Sequence, residues 1–155
     1  MNIHRAETIF IRVGAATMLA FFAILVYLAV ADRFVPPSHQ QTIDPATVTS
    51  TAPFDHPGLV RTGPNSYDAY YVARIFSWSP QKLTIPLGST VTFYVTSLDV
   101  VHGFTIPDED VNVEVVPGWV STVKHTFRKP GKLLLLCNQY CGIDHSTMYA
   151  SVTVK

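Results

Sequence analysis

One long apolar stretch near the N-terminus dominates the hydrophobic pattern of the chain. Residues 13–31 contain no charged side chain and one mild polar interruption, Thr17, which a helix can satisfy by bonding back to its own carbonyls. At about 1.5 Å rise per residue, such a helix can cross a hydrocarbon core of roughly 30 Å. The stretch is also too long for the apolar part of a cleaved signal peptide. It predicts a retained transmembrane helix, within an N-terminal segment of residues 1–33.

The pattern changes after the apolar stretch. Six of the 11 prolines fall within residues 34–66, and serine and threonine fill much of the remainder. Such a composition is typical of extended chain that runs over a surface without a core of its own. The sequence therefore predicts a linker over residues 34–66.

From residue 67 to the last residue, 155, the chain shows short β-like runs that are separated by turn residues. Apolar and polar positions alternate in residues 89–96, 111–116 and 149–154, as in strands with one buried face. Residues 133–136 are four consecutive leucines, which predict a strand buried on both faces. With turns about every ten residues, residues 67–155 are expected to form an all-β sandwich or barrel of roughly seven or eight strands.

The charge balance changes this picture in two ways. The formal net charge is +0 and charged residues make up 14% of the chain, so the basic excess of a nucleic-acid-binding protein is missing. Arg5 and Arg12 precede the apolar stretch and Arg33 follows it, with no further basic residue before Arg61. This distribution favours an N-terminus in the cytoplasm and a β-domain on the periplasmic or outer side of the cell membrane.

The candidate chemistry lies in one loop before the last predicted strand. Two thiols, an imidazole and a thioether fall within twelve residues, and His102 lies upstream between two predicted strands; the four in the loop are Cys137, Cys141, His145 and Met148. Thiolate and thioether ligands favour copper. A zinc site of two cysteines and two histidines, with Met148 as a core residue, is the alternative.

The number of cysteines distinguishes a mononuclear from a dinuclear copper site. A mononuclear blue-copper site uses one cysteine, whereas two thiolates in one loop can bridge two copper ions. His102 and His145 would then supply one imidazole to each ion. Met148 and a backbone carbonyl, that of Gln139, would supply weak outer ligands, so that every candidate ligand is used.

These residues resemble a known signature. Cys137-x3-Cys141-x3-His145-x2-Met148, with Val101-His102-Gly103-Phe104 upstream, is similar to the dinuclear copper (CuA) motif of cytochrome c oxidase subunit II. The string from Cys137 to Gly142 resembles the B-type (ba-type) haem-copper oxidases, because the larger A-type enzymes usually carry glutamate where Gln139 stands here.

The resemblance implies a cupredoxin-like Greek-key fold and a function in respiratory electron transfer. The subunit would accept electrons from cytochrome c or another small carrier and pass them to haem in subunit I, where dioxygen is reduced to water. Its partners would be subunit I, a small additional membrane subunit and the lipid bilayer. Phe76 and Trp78 lie where the family carries an aromatic cluster and are candidates for the surface at which electrons enter.

Three other functions compete with this one. The chain could be a free-standing, membrane-anchored cupredoxin that carries electrons without an oxidase. It could deliver copper, although a buried ligand set is typical of retention rather than release. It could also be a metal-free domain with a Cys137–Cys141 disulfide, as in quinol-oxidase relatives.

Overall fold

The computed structural model describes residues 3–31 and 38–155, and the chain divides into an N-terminal helical unit and a β-domain. Helix α1 spans Ile3–Ala31, so it begins ten residues before the predicted apolar stretch. Thr17 Oγ1 donates to the Val13 carbonyl oxygen at 2.9 Å, which satisfies the polar interruption of that stretch. Within the span His4–Ala31, the most apolar window of 18 residues has a mean hydropathy of 2.4, and the helix is long and apolar enough to cross a membrane. The predicted boundary between residues 33 and 34 lies outside the described residues.

The β-domain contains eleven strands within the described residues. Two short 3-10 helices accompany them, Val48–Ser50 and His145–Thr147. The strands are β1 Ser38–Thr42, β2 Gly58–Arg61, β3 Ser66–Arg74, β4 Ser77–Ser79, β5 Lys82–Ile85, β6 Thr90–Ser97, β7 His102–Ile106, β8 Val111–Val115, β9 Trp119–Thr126, β10 Gly131–Cys137 and β11 Tyr149–Val154.

The strands form two sheets. The first has the order β1-β9-β6-β3-β2, with β4 paired to β3, and the second has the order β5-β11-β10-β7-β8. Most neighbours are antiparallel, while β3 with β6 and β5 with β11 are parallel. The predicted all-β architecture is confirmed as a sandwich of two mixed sheets.

The core lies between the two sheets and follows from the alternation in the sequence. In β8 the three valines are buried while Asn112 and Glu114 are exposed, as period-two side-chain placement requires. Phe93, Phe104 and Phe127 fill the centre with contacts between their rings. The prediction that residues 133–136 are buried on both faces is wrong for Leu134, which is 53% exposed. Leu134 lies opposite Ser151 of β11 and points to the outer side of the second sheet, so alternation holds here too.

The segment predicted to be a linker contributes regular structure. Strands β1 and β2 form the two edges of the first sheet, and both precede residue 67. Val48 and Phe54 are buried, and the Phe54 ring meets Tyr70 edge-on at 5.6 Å between centroids. The division at residue 67 therefore leaves two strands and part of the core on the linker side. Short, polar edge strands such as β1 carry little hydrophobic alternation, and this is why the pattern did not indicate them.

The packed state of residues 38–66 is testable with Phe54→Ala. We expect this change to lower the free energy of unfolding of the β-domain by about 3–5 kcal/mol, because a buried phenylalanine is truncated. Denaturant titration of the full chain in detergent, followed by tryptophan fluorescence, measures the effect. Thr49→Ala, an exposed position five residues earlier, should change it by less than about 0.5 kcal/mol. Equal stability of both variants would mean that this segment is not part of the cooperative unit.

Candidate metal centre

The loop that carries the candidate ligands joins β10 to β11. These strands pair in antiparallel register up to Leu136 opposite Tyr149. Beyond that pair the Cys137 amide donates to the Met148 carbonyl oxygen at 3.2 Å, so the loop is closed at its base. Its first and last predicted ligands, Cys137 and Met148, therefore lie side by side although eleven positions separate them.

The sulfur atoms converge inside this loop. The Sγ atoms of Cys137 and Cys141 are 3.8 Å apart, and both thiols are free and buried. Cys141 Sγ is 3.7 Å from the Met148 sulfur, and Cys137 Sγ is 3.2 Å from the Gln139 carbonyl oxygen. The Gln139 carbonyl, which the sequence predicts as a weak ligand, thus lies beside the Cys137 thiol.

Each histidine faces one of the two cysteines. His102 was expected between two strands, but it is the first residue of β7 and is fully buried. Strand β7 pairs with β10 through Phe104 opposite Cys137, and this places His102 Nδ1 3.8 Å from Cys137 Sγ. His145 Nδ1 lies 3.4 Å from Cys141 Sγ. Three side chains place one possible ligand atom each within 4.8 Å of the other two: His102, Cys137 and Cys141.

Asp99, which no sequence pattern indicated, contacts the ring nitrogen of His102 that is not directed at Cys137. Its Oδ1 is 2.9 Å from His102 Nε2 and 2.6 Å from the Val100 amide, and its Oδ2 accepts a 2.6 Å hydrogen bond from the Ile75 amide. Burial alone would raise the pKa of Asp99, but the hydrogen bonds from His102 and from these two amides lower it below its ordinary value. Because an ionised carboxylate only accepts, the proton of His102 lies on Nε2 and leaves Nδ1 as a lone-pair donor towards the thiols.

The donors fit a thiophilic metal ion. They comprise two thiols, two imidazole nitrogens, a thioether and a carbonyl oxygen, a set that suits a soft metal such as copper better than a hard cation. Burial, followed by the neighbouring Cys137, raises the pKa of the Cys141 thiol to about 11. Without a cation the site therefore keeps this thiol protonated, and metal binding would release the proton.

Gly103 allows the ligand loop to approach strand β7 closely. A Cβ atom at this position would overlap the Asn138 side-chain oxygen and lie 2.9 Å from the Gln139 amide nitrogen. The Asn138 amide donates to the Gly103 carbonyl oxygen at 3.3 Å, and its side chain donates to Asn112 of β8 at 3.1 Å. Glycine is required here because the loop backbone occupies the space of a side chain.

Known proteins resemble this chain over most of its length. The sequence model described as cytochrome c oxidase subunit II, periplasmic domain, matches residues 74–154. A cytochrome c oxidase subunit 2 of Thermus thermophilus is 38% identical over 144 residues, which is 90% of this chain and 86% of that relative. The chain belongs to the cytochrome c oxidase subunit II family. A second Thermus thermophilus subunit 2 is 42% identical over 123 residues, covering 78% of this chain and 91% of the relative.

Solved structures agree with membership of the subunit II family. A chain in the structure of a haem-copper terminal oxidase dimer superposes with a TM-score of 0.80 and 28% identity, covering 97% of this chain and 99% of that one. The periplasmic domain of cytochrome oxidase subunit II from Bradyrhizobium japonicum gives a TM-score of 0.53 at 19% identity, over 62% of this chain and 87% of that one. The second likeness concerns the fold, which is cupredoxin-like. The narrower likeness to B-type oxidases stays a prediction.

The two aromatic candidates lie in different environments. Trp78 is 1% exposed and its ring is 6.0 Å from that of His102, so it belongs to the core and does not lie on the surface. Phe76 is half-buried at the turn between β3 and β4, next to Gly142 of the ligand loop. A role of either ring in electron transfer stays a prediction, and only Phe76 could contact a carrier directly.

Gly103→Ala tests whether the ligand loop depends on its close approach to β7. We expect the free energy of unfolding of the metal-free chain to fall by about 1–3 kcal/mol, because the added methyl group forces the loop away from β7. Gly131→Ala is the matched control, since a Cβ there would meet no atom within 4 Å. Denaturant titration of both variants checks this. A Gly103→Ala chain as stable as Gly131→Ala would contradict the close approach.

Proposed function

We propose that this chain accepts electrons for a terminal cytochrome c oxidase through a dinuclear copper centre of the CuA type. One observation carries the proposal: two thiols of one loop lie 3.8 Å apart, each with a histidine nitrogen within 3.8 Å of its sulfur. A zinc tetrahedron would use the same four side chains but would leave the nearby thioether and carbonyl without a role. The membership of the oxidase family supports copper.

Six residues of the chain would hold the copper pair. Cys137 and Cys141 would bridge, His102 and His145 would each bind one ion, and weak outer donors would complete the set; these outer donors are the Met148 thioether and the Gln139 carbonyl. When bound, the pair supplies a one-electron couple that two ions share. The chain itself orients the ligands and excludes water, because His102, Met148 and both cysteines are at most 8% exposed.

The candidate ligands are held in place by other residues of the chain. Asp99 fixes the ring and the tautomer of His102, and outer partners of this kind raise ligand basicity and keep a metal site rigid. A rigid ligand set changes little between two oxidation states, which suits fast electron transfer. The proposed route then passes from the carrier to this centre and on to haem in subunit I, where dioxygen is reduced to water.

Subunit I is the proposed membrane partner of the chain, together with a small additional membrane subunit. The uncharged part of helix α1, residues 13–31, would anchor the chain in the cell membrane. The distribution of arginines supports a cytoplasmic N-terminus and a β-domain on the outer side. The alternative of a free-standing carrier has no observation in its favour, since the relatives that match over most of the chain are oxidase subunits.

Cysteine variants separate the dinuclear centre from other metal sites. We expect about two copper ions per wild-type chain after reconstitution, and fewer than about one in Cys137→Ser or Cys141→Ser, because a bridging thiolate is lost. Met148→Leu should retain the copper and shift its reduction potential, since a thioether is a weak ligand. Elemental analysis and redox titration of the full chain in detergent measure both quantities.

The exposed Ser146→Ala in the same loop is the control for these variants and should match the wild type. Zinc in place of copper, or full copper content in the cysteine variants, would contradict the proposal.

The electron carrier is proposed to dock on the apolar tip of the ligand loop. Tyr140 and Ile143 are 78% and 89% exposed, and the Tyr140 ring lies 5.9 Å from that of His145. Both residues belong to the same loop, and contiguous exposed apolar surface marks contact sites. A carrier bound there would lie close to His145, so the electron would not have to cross the protein interior.

Docking on an apolar surface predicts a weak dependence on salt. We expect the rate of electron transfer from cytochrome c to fall by less than about threefold between low and physiological ionic strength, because few charges contribute to the contact. Ile143→Asp should lower the rate strongly, whereas Leu87→Asp, at a 48% exposed position near the C-terminal Lys155, should not. Stopped-flow kinetics measure the rate of electron transfer for the wild type and both variants. A steep fall with salt would instead implicate the acidic cluster of residues 108–110.

A further inference from the structure

The turn between β3 and β4 has an unusual backbone. Arg74 pairs with Ser77, so Ile75 and Phe76 alone connect the two strands; we name these two residues the hairpin tip. Phe76 has φ 62°, in the left-handed region that bulky side chains rarely adopt. Two-residue hairpins usually meet this demand with glycine or asparagine. A strained residue persists where its surroundings fix it, and such residues concentrate at functional sites.

One side of the hairpin tip is bound to the upstream ligand. The Ile75 amide donates to Asp99 Oδ2 at 2.6 Å, and the other oxygen of Asp99 lies 2.9 Å from His102 Nε2. The carboxylate is therefore held by the tip on one side and orients the imidazole on the other. A displacement of the tip would be transmitted to His102 through two short hydrogen bonds.

The other side of the hairpin tip supports the ligand loop. The Phe76 ring lies against Gly142, where a Cβ atom would be 3.0 Å from Cζ and 3.1 Å from Cε1. Gly142 has φ 134° and directly follows Cys141, so both its backbone conformation and its contact with the ring exclude a side chain. The ring thus fills the space beside Gly142, the residue that directly follows the second thiol.

We infer that Phe76 is a positioning residue that keeps the two parts of the ligand set in register. His102 comes from β7 and Cys141 from the loop after β10, and they are far apart in sequence. The hairpin tip contacts the immediate neighbours of both, Asp99 on one side and Gly142 on the other. This inference rests on the proposed metal centre, but the contacts also predict the behaviour of the metal-free chain.

Two variants separate the ring from the backbone strain. Phe76→Gly removes the ring and also accepts the left-handed backbone, so the turn itself can stay intact. Phe76→Tyr keeps the ring and should restore wild-type behaviour. Tyr67→Gly is the matched control, because Tyr67 is a half-buried aromatic residue that packs against the same core from the opposite end of β3.

The first readout is the alkylation rate of Cys141 in the metal-free full chain in detergent, followed by mass spectrometry. Cys141 is 7% exposed, so its reaction requires local opening of the loop. We expect Phe76→Gly to react at least about fivefold faster than wild type, because thiol reactivity follows exposure. Phe76→Tyr and Tyr67→Gly should react at the wild-type rate, even where Tyr67→Gly lowers the melting temperature.

The second readout is copper release from the loaded chain to a chelator. Without the Phe76 ring, copper release should be about tenfold faster in Phe76→Gly than in the wild type. Mutation of residues that orient metal ligands lowers metal affinity by a factor of about this size. Wild-type rates for Phe76→Gly in both measurements, or an equal acceleration in Tyr67→Gly, would overturn the inference. A wild-type chain that binds no copper would refute the proposed function instead, and the alkylation rates would still decide the role of Phe76.

Discussion

The candidate metal centre depends on the register of strand β10 against its two neighbours. Leu136 lies opposite Tyr149 of β11, and Cys137 lies opposite Phe104 of β7. A slip of one residue would turn Cys137 to the outer face of the sheet, since side chains alternate with period two. The hydrogen bond from the Cys137 amide to the Met148 carbonyl fixes this register at the base of the loop. One alignment of three strands therefore brings together candidate ligands that come from separate parts of the sequence.

The candidate ligands are largely buried, and neighbouring residues hold them in position. His102 and the sulfur ligands are buried between the sheets, while His145 is half-buried at the loop tip. The Asp99 carboxylate contacts His102, and hydrogen bonds from His102 and from two backbone amides hold the pKa of this carboxyl below its ordinary value in spite of burial. Gly103 allows the ligand loop to pack closely against β7, and the Phe76 ring packs against the loop at Gly142. The ligands are thus supported from several elements of the fold.

The local sequence could predict the β-domain and could indicate the candidate ligands, because both have local signals. Alternation in residues 111–116 and 149–154 indicated strands that exist as β8 and β11, and the spacing of Cys137, Cys141, His145 and Met148 indicated one soft-metal loop. The edge strands β1 and β2 were not predicted, because proline and polar residues conceal them. Strand β7 was not predicted either, so His102 was assigned to a connection.

The supporting contacts had no signal in the sequence. Nothing in the pattern indicated that Asp99 would contact His102, since this contact depends on how the chain bends between β6 and β7. Gly103 and Phe76 act through contacts with residues 138 and 142, and such contacts are set by tertiary structure. The burial of Trp78 against His102 likewise follows from the pairing of β4 with β3, which a three-residue strand does not reveal.

The central claim is that the two thiols hold a pair of copper ions that shares one unpaired electron. Electron paramagnetic resonance of the copper-loaded full chain in detergent tests it most directly. An electron shared equally between two copper nuclei should give about seven hyperfine lines, as expected for thiolate-bridged copper in this ligand set. About four lines would mean a single copper ion, and a chain that holds zinc and gives no copper signal would contradict the account altogether.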